Sequence, residues 1–365
     1  MQIAIKQRVI GPGQPPYLIA ELSGNHNGDI ARAKALIDAA VEAGADAVKL
    51  QTYTADSMTF DSDRPEFLIQ HGPWAGKRLY ELYQWAHTPW DWHGVLFEHA
   101  RDRGITLFSS PFDASAVDLL ESLGTPAYKI ASFELVDIGL IRRVAATGKP
   151  VILSTGMASL DEIAEAVQAA EQAGCSELAL LHCVSGYPAP AEEYHLHTIA
   201  ELAQRFGTVA GLSDHTQDNT TAIASVALGA SIVEKHLTLA RADGGPDASF
   251  SLEPQEFKAL CQQCRTAFAA LGQADHRPQA SEAENRAFRR SLYFCRDMRP
   301  GDTITADCVR SVRPGLGLAP KYLEQLIGRS MCTAVSRHTP VSWDVVDQGQ
   351  PPIDPDALLR RGRRG

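Results

Sequence analysis

The stretch IARAKALIDAAVEAG at 30–44, followed by AVKLQT at 47–52, decides the fold. The first part is apolar at helical spacing and stops at Gly44; the second is a short buried strand that ends on Lys49 and Gln51. Seven further runs repeat the pattern of an apolar strand ending on a chemically capable residue: YLIAEL (17–22), TLFSS (106–110), YKIAS (128–132), VILSTG (151–156), LALLHC (178–183), AGLSDH (210–215) and IVEKH (232–236). Helical segments such as SAVDLLESLG (115–124), LDEIAEAVQAAEQAG (160–174) and NTTAIASVALGA (219–230) lie between them. Buried strands alternating with amphipathic helices mean a parallel sheet. Eight such units predict an α/β fold, a closed (β/α)8 TIM barrel with its chemistry at the C-terminal ends of the strands.

The barrel is expected over 1–271. Its opening stretch QIAIKQRVIG alternates like a strand, turns at GPGQPP, and suits a hairpin over the barrel floor. A polar linker follows at 272–285, and short strands with Gly/Pro turns predict a small second domain over 286–348. The tail, 349–365, reads as disordered. The segment 56–92 is too long for a simple strand-to-helix connection and holds four of the chain's five tryptophans. A lid or substrate loop and an aromatic packing patch both fit it.

The chain has 365 residues and a formal net charge of −10, which argues against non-specific nucleic-acid binding. No run has the length of a membrane helix, and the N-terminus lacks a signal peptide's apolar core. Seven cysteines without framework spacing suit a reducing cytoplasm. Cys261 and Cys264, within a helical stretch, read as buried packing residues rather than a metal half-site.

Strand positions two apart share a face. Ser213 with His215, Glu234 with His236, and Lys49 with Gln51 therefore point inward together, leaving Asp214 and Lys235 on the helix side. Two imidazoles on adjacent strands suit one divalent cation. Lys49 and Lys129 stand in apolar context, where a buried ammonium needs an anion. That anion is either a carboxylate such as Glu21 or Glu134, or a bound phosphate or carboxylate shared with Ser110, Ser132, Ser154 and Ser213. A Schiff-base lysine is a further option. Glu21, Glu134, Glu234 and Asp247 are candidates for proton transfer or hydroxyl binding, and Asn25, His26 and Asn27 for lining the rim or capping a helix. His87, His93, His195 and His197 lie away from strand ends and read as structural.

The motifs AELSGNHNGD (20–29), DAVKLQT (46–52), FSSPFD (108–113), YKIAS, ILSTGMAS (152–159), GLSDH and EKH, in this order, make the chain resemble the sialic acid synthase family. RPGLGLAP (313–320) and its surroundings resemble the antifreeze-like (SAF, β-clip) domain of these synthases. The resemblance spans about 15 to 348. It implies condensation of phosphoenolpyruvate with an N-acetylated amino sugar, in the cytoplasm, with Mn²⁺ or Mg²⁺. CVSGYPAP (183–190) and LYELYQWAHTPWDWH (79–93) resemble the branch whose sugar is 2,4-diacetamido-2,4,6-trideoxy-L-altrose, against branches making N-acetylneuraminic or legionaminic acid. The implied phosphoenolpyruvate contacts are Lys49, Ser110, Lys129, Ser132, Ser154, Ser185 and Ser213; the metal ligands are His215 and His236. Glu21, Glu134 and Glu234 are implied in catalysis, and Gln51, Tyr187, Asp247 and Arg313 in sugar binding. Arg313 would serve the partner subunit's site, which implies a domain-swapped homodimer. The competing readings are a Schiff-base aldolase using Lys49 or Lys129 and a non-catalytic sugar-binding protein.

Overall fold

The computed structural model describes residues 1–349. Most of the tail expected to be disordered, 350–365, lies outside the described residues.

Two strands open the chain, β1 (Ile3–Ile5) and β2 (Arg8–Ile10), paired as an antiparallel hairpin. Eight strands follow: β3 (Tyr17–Glu21), β4 (Ala47–Thr52), β5 (Thr106–Pro111), β6 (Tyr128–Ile130), β7 (Val151–Ser154), β8 (Leu178–Cys183), β9 (Val209–Asp214) and β10 (Ile232–His236). They pair in parallel, in sequence order, and β10 closes on β3. This is the (β/α)8 barrel that the eight runs predict.

Local chemistry sets the helix ends. Asp29 accepts the Ala31 N–H at 2.8 Å to start helix Ile30–Ala43. Gly44, at φ 86°, ends it in the left-handed region and donates to Ala40 and Val41 carbonyls. Ser159 and Glu162 form a capping box that starts helix Leu160–Gln172. Helix Pro254–Leu271 completes the barrel unit and buries Cys261 and Cys264, whose thiols burial pushes up to about 12. They are packing residues, and among the described residues no third side chain joins them as a metal group.

The interior of the barrel changes character along its axis. Its lower layers are apolar: Ile19, Ala47, Phe108, Ala127, Ile152, Ala179, Leu181, Val209 and Ile232 form one buried cluster with Ile3, Ile5 and Ile10 of the hairpin. The hairpin therefore plugs the floor. Gly211 is required inside, because a Cβ there would stand 2.3 Å from the Ile232 carbonyl oxygen and 2.8 Å from Leu181. Two residues further along seven of the strands, on the same face, the side chains become Glu21, Lys49, Ser110, Lys129, Ser154, Cys183 and Glu234, all buried.

Residues from Gln273 onward form a separate compact unit. Exposed 3₁₀ turns at Ala280–Glu282 and Glu284–Phe288 lead into it. Strands β11 (Ser291–Phe294) and β12 (Val309–Val312) pair antiparallel, over a core of Leu292, Phe294, Met298, Ile304, Leu326, Met331 and Val341. Among the described residues, no helix is long and apolar enough to cross a membrane.

Replacing Ile5 with Ala should cost about 2–5 kcal/mol of barrel stability, because a buried side chain leaves a cavity in a closed floor. Val9, on the same hairpin but 40% exposed, should tolerate Ala within about 0.5 kcal/mol. Urea unfolding followed by circular dichroism reads both; equal costs would mean that the hairpin does not plug the barrel.

Candidate active site

Strand register sets the polar ring. Glu21 stands opposite Lys49, Ser110 opposite Gln51, and Ser213 opposite both Cys183 and Glu234. Neighbours in register on one face are in contact, and the side chains close a network. Lys49 Nζ lies 2.7 Å from Glu21 Oε2 and 3.4 Å from Glu234 Oε1. It also donates to Ser110 Oγ at 3.2 Å. Gln51 Nε2 donates to Glu21 Oε1 at 2.9 Å, and Ser213 Oγ to Glu234 Oε1 at 3.4 Å.

The electrostatics separate the two lysines. Burial works against the charge on Lys49, but Glu21 and Glu234 outweigh it and hold the ammonium above the ordinary lysine range. Lys129 is equally buried and makes no ion pair among the described residues; its Nζ donates to the Ile130 carbonyl at 3.1 Å. Burial pulls Lys129 below the ordinary value, with Glu234 the main countering charge. Burial works against the Glu234 carboxylate too, yet Lys129 and Lys49 keep it ionised. Burial raises Glu21. Burial also lifts Glu134, on the turn Ser132–Glu134, to about 7, and its Oε2 is buried without a hydrogen-bond partner.

Three serines stand at or just past the ends of β6, which carries Lys129, and of β7 and β8. Ser132 Oγ accepts the Gly156 N–H at 3.1 Å. A Cβ on Gly156 would stand 2.3 Å from Ser185 Oγ and 2.8 Å from Ser132 Oγ, so only glycine lets these hydroxyls converge. Ser154 Oγ is buried without a partner. The result is a cationic, hydroxyl-rich cradle that suits an oxyanion.

The imidazoles of His215 and His236 lie side by side, with ring centroids 5.4 Å apart. His215 Nδ1 donates to the Val184 carbonyl at 2.9 Å, which directs the Nε2 lone pair outward in the neutral ring. His236 Nδ1 is 3.4 Å from Ser23 Oγ. Burial and the neighbouring His215 hold His236 well below the ordinary histidine range, so it is neutral. Burial opposes charge on His215 as well, but Cys183, 3.9 Å from Nδ1, the Val184 carbonyl and Asp214 together hold it above the ordinary range, so a proton and a cation compete for this ring. Two imidazole donors fit a divalent cation that leaves its other positions to water or substrate oxygen. Among the described residues, no group of three or more His, Cys, Asp or Glu side chains gathers into a metal site.

An aromatic wall borders the histidines. Tyr187 lies 4.6 Å from His215, and Phe250 5.1 Å from His236, between ring centroids. Trp74 packs on Tyr187 and Phe250 and donates its Nε1–H to the Pro246 carbonyl at 2.7 Å. Asp247 is half-buried, and desolvation holds its carboxyl above the ordinary range. The tryptophan-rich segment thus divides. Trp74 reaches the histidines, Trp92 and Trp90 pack against His26 and the Tyr53 carbonyl, and Trp85 is surface-exposed beneath Lys77.

Two strand-end residues face away from the barrel axis. His182 bonds the Tyr194 carbonyl, and Cys183 takes the inward position instead. Ser109 bonds Thr52 at 2.6 Å on the helix side, where His93 also bonds Thr52. Asp214 and Lys235 form a fully buried pair at 2.6 Å behind the ring. Asn25 donates to Leu237 and Ser251, Asn27 to the Gly244 carbonyl, and Asp29 rather than either asparagine caps the helix. Sequence reasoning missed Cys183, Ser23, Tyr194, Gly156 and Phe250. Of these only Cys183 carried a readable signal, its parity with Leu181 on β8. Arg313 belongs to the second unit, which is described by itself.

Comparison with known proteins follows the same division. The NeuB family model matches residues 36–276, and the SAF domain model residues 289–347. The pseudaminic acid synthase of Helicobacter pylori is 42% identical over 336 residues, covering 92% of this chain and 99% of that protein. That of Campylobacter jejuni is 41% identical over 313 residues, covering 86% and 91%. Among solved structures, an N-acetylneuraminic acid (sialic acid) synthetase from Leptospira borgpetersenii, in complex with citrate, superposes with a TM-score of 0.70 at 32% identity, covering 78% of this chain and 95% of that one. With its barrel closed, its polar ring built and two thirds of its length matched, the chain belongs to the NeuB family.

Proposed function

We propose that the chain condenses phosphoenolpyruvate with 2,4-diacetamido-2,4,6-trideoxy-L-altrose and water, giving pseudaminic acid and inorganic phosphate. The observation that carries this reading is Lys129: a buried ammonium without an ion pair among the described residues, on the strand whose following turn carries Ser132, one of the converging serine hydroxyls. Such a group is costly unless it meets an anion. The similarity to pseudaminic acid synthases supports the choice of sugar.

In this reading Lys49, Lys129, Ser110, Ser132, Ser154, Ser185 and Ser213 hold the phosphate and carboxylate of phosphoenolpyruvate. Gln51, Tyr187 and Asp247 hold the sugar. A divalent cation, Mn²⁺ or Mg²⁺, held by His215 and His236, supplies polarisation of the sugar's aldehyde oxygen when bound. The C2=C3 π pair of phosphoenolpyruvate forms the new bond from C3 to the aldehyde carbon, whose oxygen takes up a proton from solvent, leaving positive charge at C2. Glu234, kept ionised by the two lysines, stabilises that charge. Water adds to C2 and gives its proton to Glu134, whose raised value suits transfer near neutrality. The C2–O bond to phosphorus then breaks as the C2 hydroxyl closes to the ketone, and phosphate leaves with the bridging oxygen and that hydroxyl's proton, held by the lysines and serines. No step needs a covalent enzyme residue, which separates this reading from a Schiff-base aldolase. Arg313 completes the sugar site from the second unit of a partner subunit, in a domain-swapped homodimer. A cytoplasmic setting belongs to the same reading, and all seven cysteines being free thiols supports it.

The reading is tested by phosphate release with phosphoenolpyruvate and a panel of altrose-, mannose- and glucose-configured acetamido sugars. The altrose sugar should be preferred, and label in the bridging oxygen should leave with phosphate. Preference for another sugar would reassign the product to N-acetylneuraminic or legionaminic acid.

Glu134 gives a pH signature. Its carboxylate is the proton acceptor, so kcat should fall as pH drops through about 7, where the group protonates. Glu134→Gln should be slow and lack that limb; a limb kept in the variant would move the proton transfer to another group.

Arg313→Ala should raise KM for the sugar far more than for phosphoenolpyruvate. Mixed with His236→Ala protein it should regain activity, since hybrid dimers hold one intact site; no regain would place both residues in one subunit's site.

A further inference from the structure

The two histidines of the candidate metal seat are held by different parts of the chain. His236 is the last residue of β10, in register with Glu21 of β3, and its carbonyl accepts the Leu252 N–H at 2.9 Å. The barrel fixes it. His215 lies one residue beyond β9. Its backbone N–H donates to the Tyr194 hydroxyl at 2.7 Å, and its carbonyl accepts the Ala189 N–H at 3.1 Å. Its Nδ1 donates to the Val184 carbonyl at 2.9 Å. All three bonds run to one segment, 184–194, which also carries Tyr187 with its ring 4.6 Å from the His215 ring.

Tyr194 anchors that segment. It is fully buried, its hydroxyl accepts the His215 N–H, and its carbonyl accepts from His182 Nε2. Asp214 is in turn paired with Lys235, beside His236 in sequence. One phenol therefore joins the loop to the end of β9, next to the buried pair behind β10.

We propose that Tyr194 is a positioning residue that ties the His215 half of the metal seat to the Tyr187 loop, so that cation binding and sugar binding depend on one another. This rests on the reading of His215 and His236 as cation ligands and Tyr187 as a sugar contact. The physical reason is satisfaction of the His215 backbone. Beyond the ladder its N–H and C=O have partners only while the loop is seated, and the ring faces His236 only in that arrangement. A ligand that stabilises the loop through Tyr187 pre-forms the seat, and by linkage a cation that orders His215 pre-forms the loop.

The test uses the full-length, metal-stripped protein titrated with Mn²⁺ alone, followed by the electron paramagnetic resonance signal of the free ion. Tyr194→Phe keeps the ring and removes only the hydroxyl. Tyr128→Phe is the control: its hydroxyl donates to Glu121 at 2.6 Å, away from the loop. Tyr194→Phe should weaken Mn²⁺ binding about 10–100-fold, the usual effect of losing a group that orients a ligand. It should raise KM for the sugar in proportion and leave KM for phosphoenolpyruvate unchanged, while the control changes none of these. Wild-type affinity in Tyr194→Phe, equal losses in both variants, or a matching rise in both KM values would overturn the coupling. Hydrogen exchange of the wild-type protein reads the same link without a mutation. Mn²⁺ should slow exchange over both 187–194 and 213–216; protection at 213–216 alone would overturn it. A wild-type protein that binds no Mn²⁺ would instead remove the metal seat itself, and the coupling with it.

Discussion

The site depends on keeping two ammonium groups charged where water cannot solvate them. Lys49 and Lys129 sit at the top of a closed apolar barrel, a setting that favours the neutral amine. Lys49 meets that demand with two carboxylates, Glu21 and Glu234. Those carboxylates then become part of the site, because a buried carboxylate tied to a lysine is fixed in place, and for Glu234 in charge as well. Lys129 is left with a carbonyl and the more distant field of Glu234. Pairing one lysine and leaving the other without an ion pair among the described residues gives the ring a fixed half and a half ready for an anion.

Much of this was legible in the sequence because strands alternate. Once eight strands are placed, parity alone sends Glu21, Lys49, Gln51, Ser110, Lys129, Ser154, Ser213 and Glu234 inward and Asp214 with Lys235 outward. The buried pair behind the ring obeys that rule. On β8 the same rule puts Cys183 inside with Leu181 and turns His182 to the helix side, where it bonds the Tyr194 carbonyl. What stayed hidden is everything set by loop geometry. The convergence of Ser132 and Ser185 over Gly156, the Ser23 contact to His236 and the Tyr194 contact to His215 join residues that no period links. The tryptophan-rich segment illustrates the limit: its length marks an insertion, but only three dimensions separate Trp74, at the histidines, from Trp90 and Trp92, which pack.

The layers of the barrel divide labour. Lower layers supply the burial that stabilises a fold of this kind, and the uppermost supplies chemistry. Placing function on the rigid strand ends leaves the loops to adapt around it, which is the general advantage of this architecture. Here the loops do more than adapt. The segment 184–194 holds His215 as firmly as any strand would, with bonds to its N–H, its carbonyl and its ring.

The floor has a consequence for traffic. With Ile3, Ile5 and Ile10 packed into the base of the barrel, nothing passes along its axis. The polar ring is a cul-de-sac: whatever enters must leave by the way it came. In the proposed reading, the anion of the lysine cradle and the ligands of the histidine pair reach their seats from that same end, so an occupant nearer the rim holds back the one behind it. Sequence of entry and exit is then a matter of depth, set by how far below the rim each subsite lies.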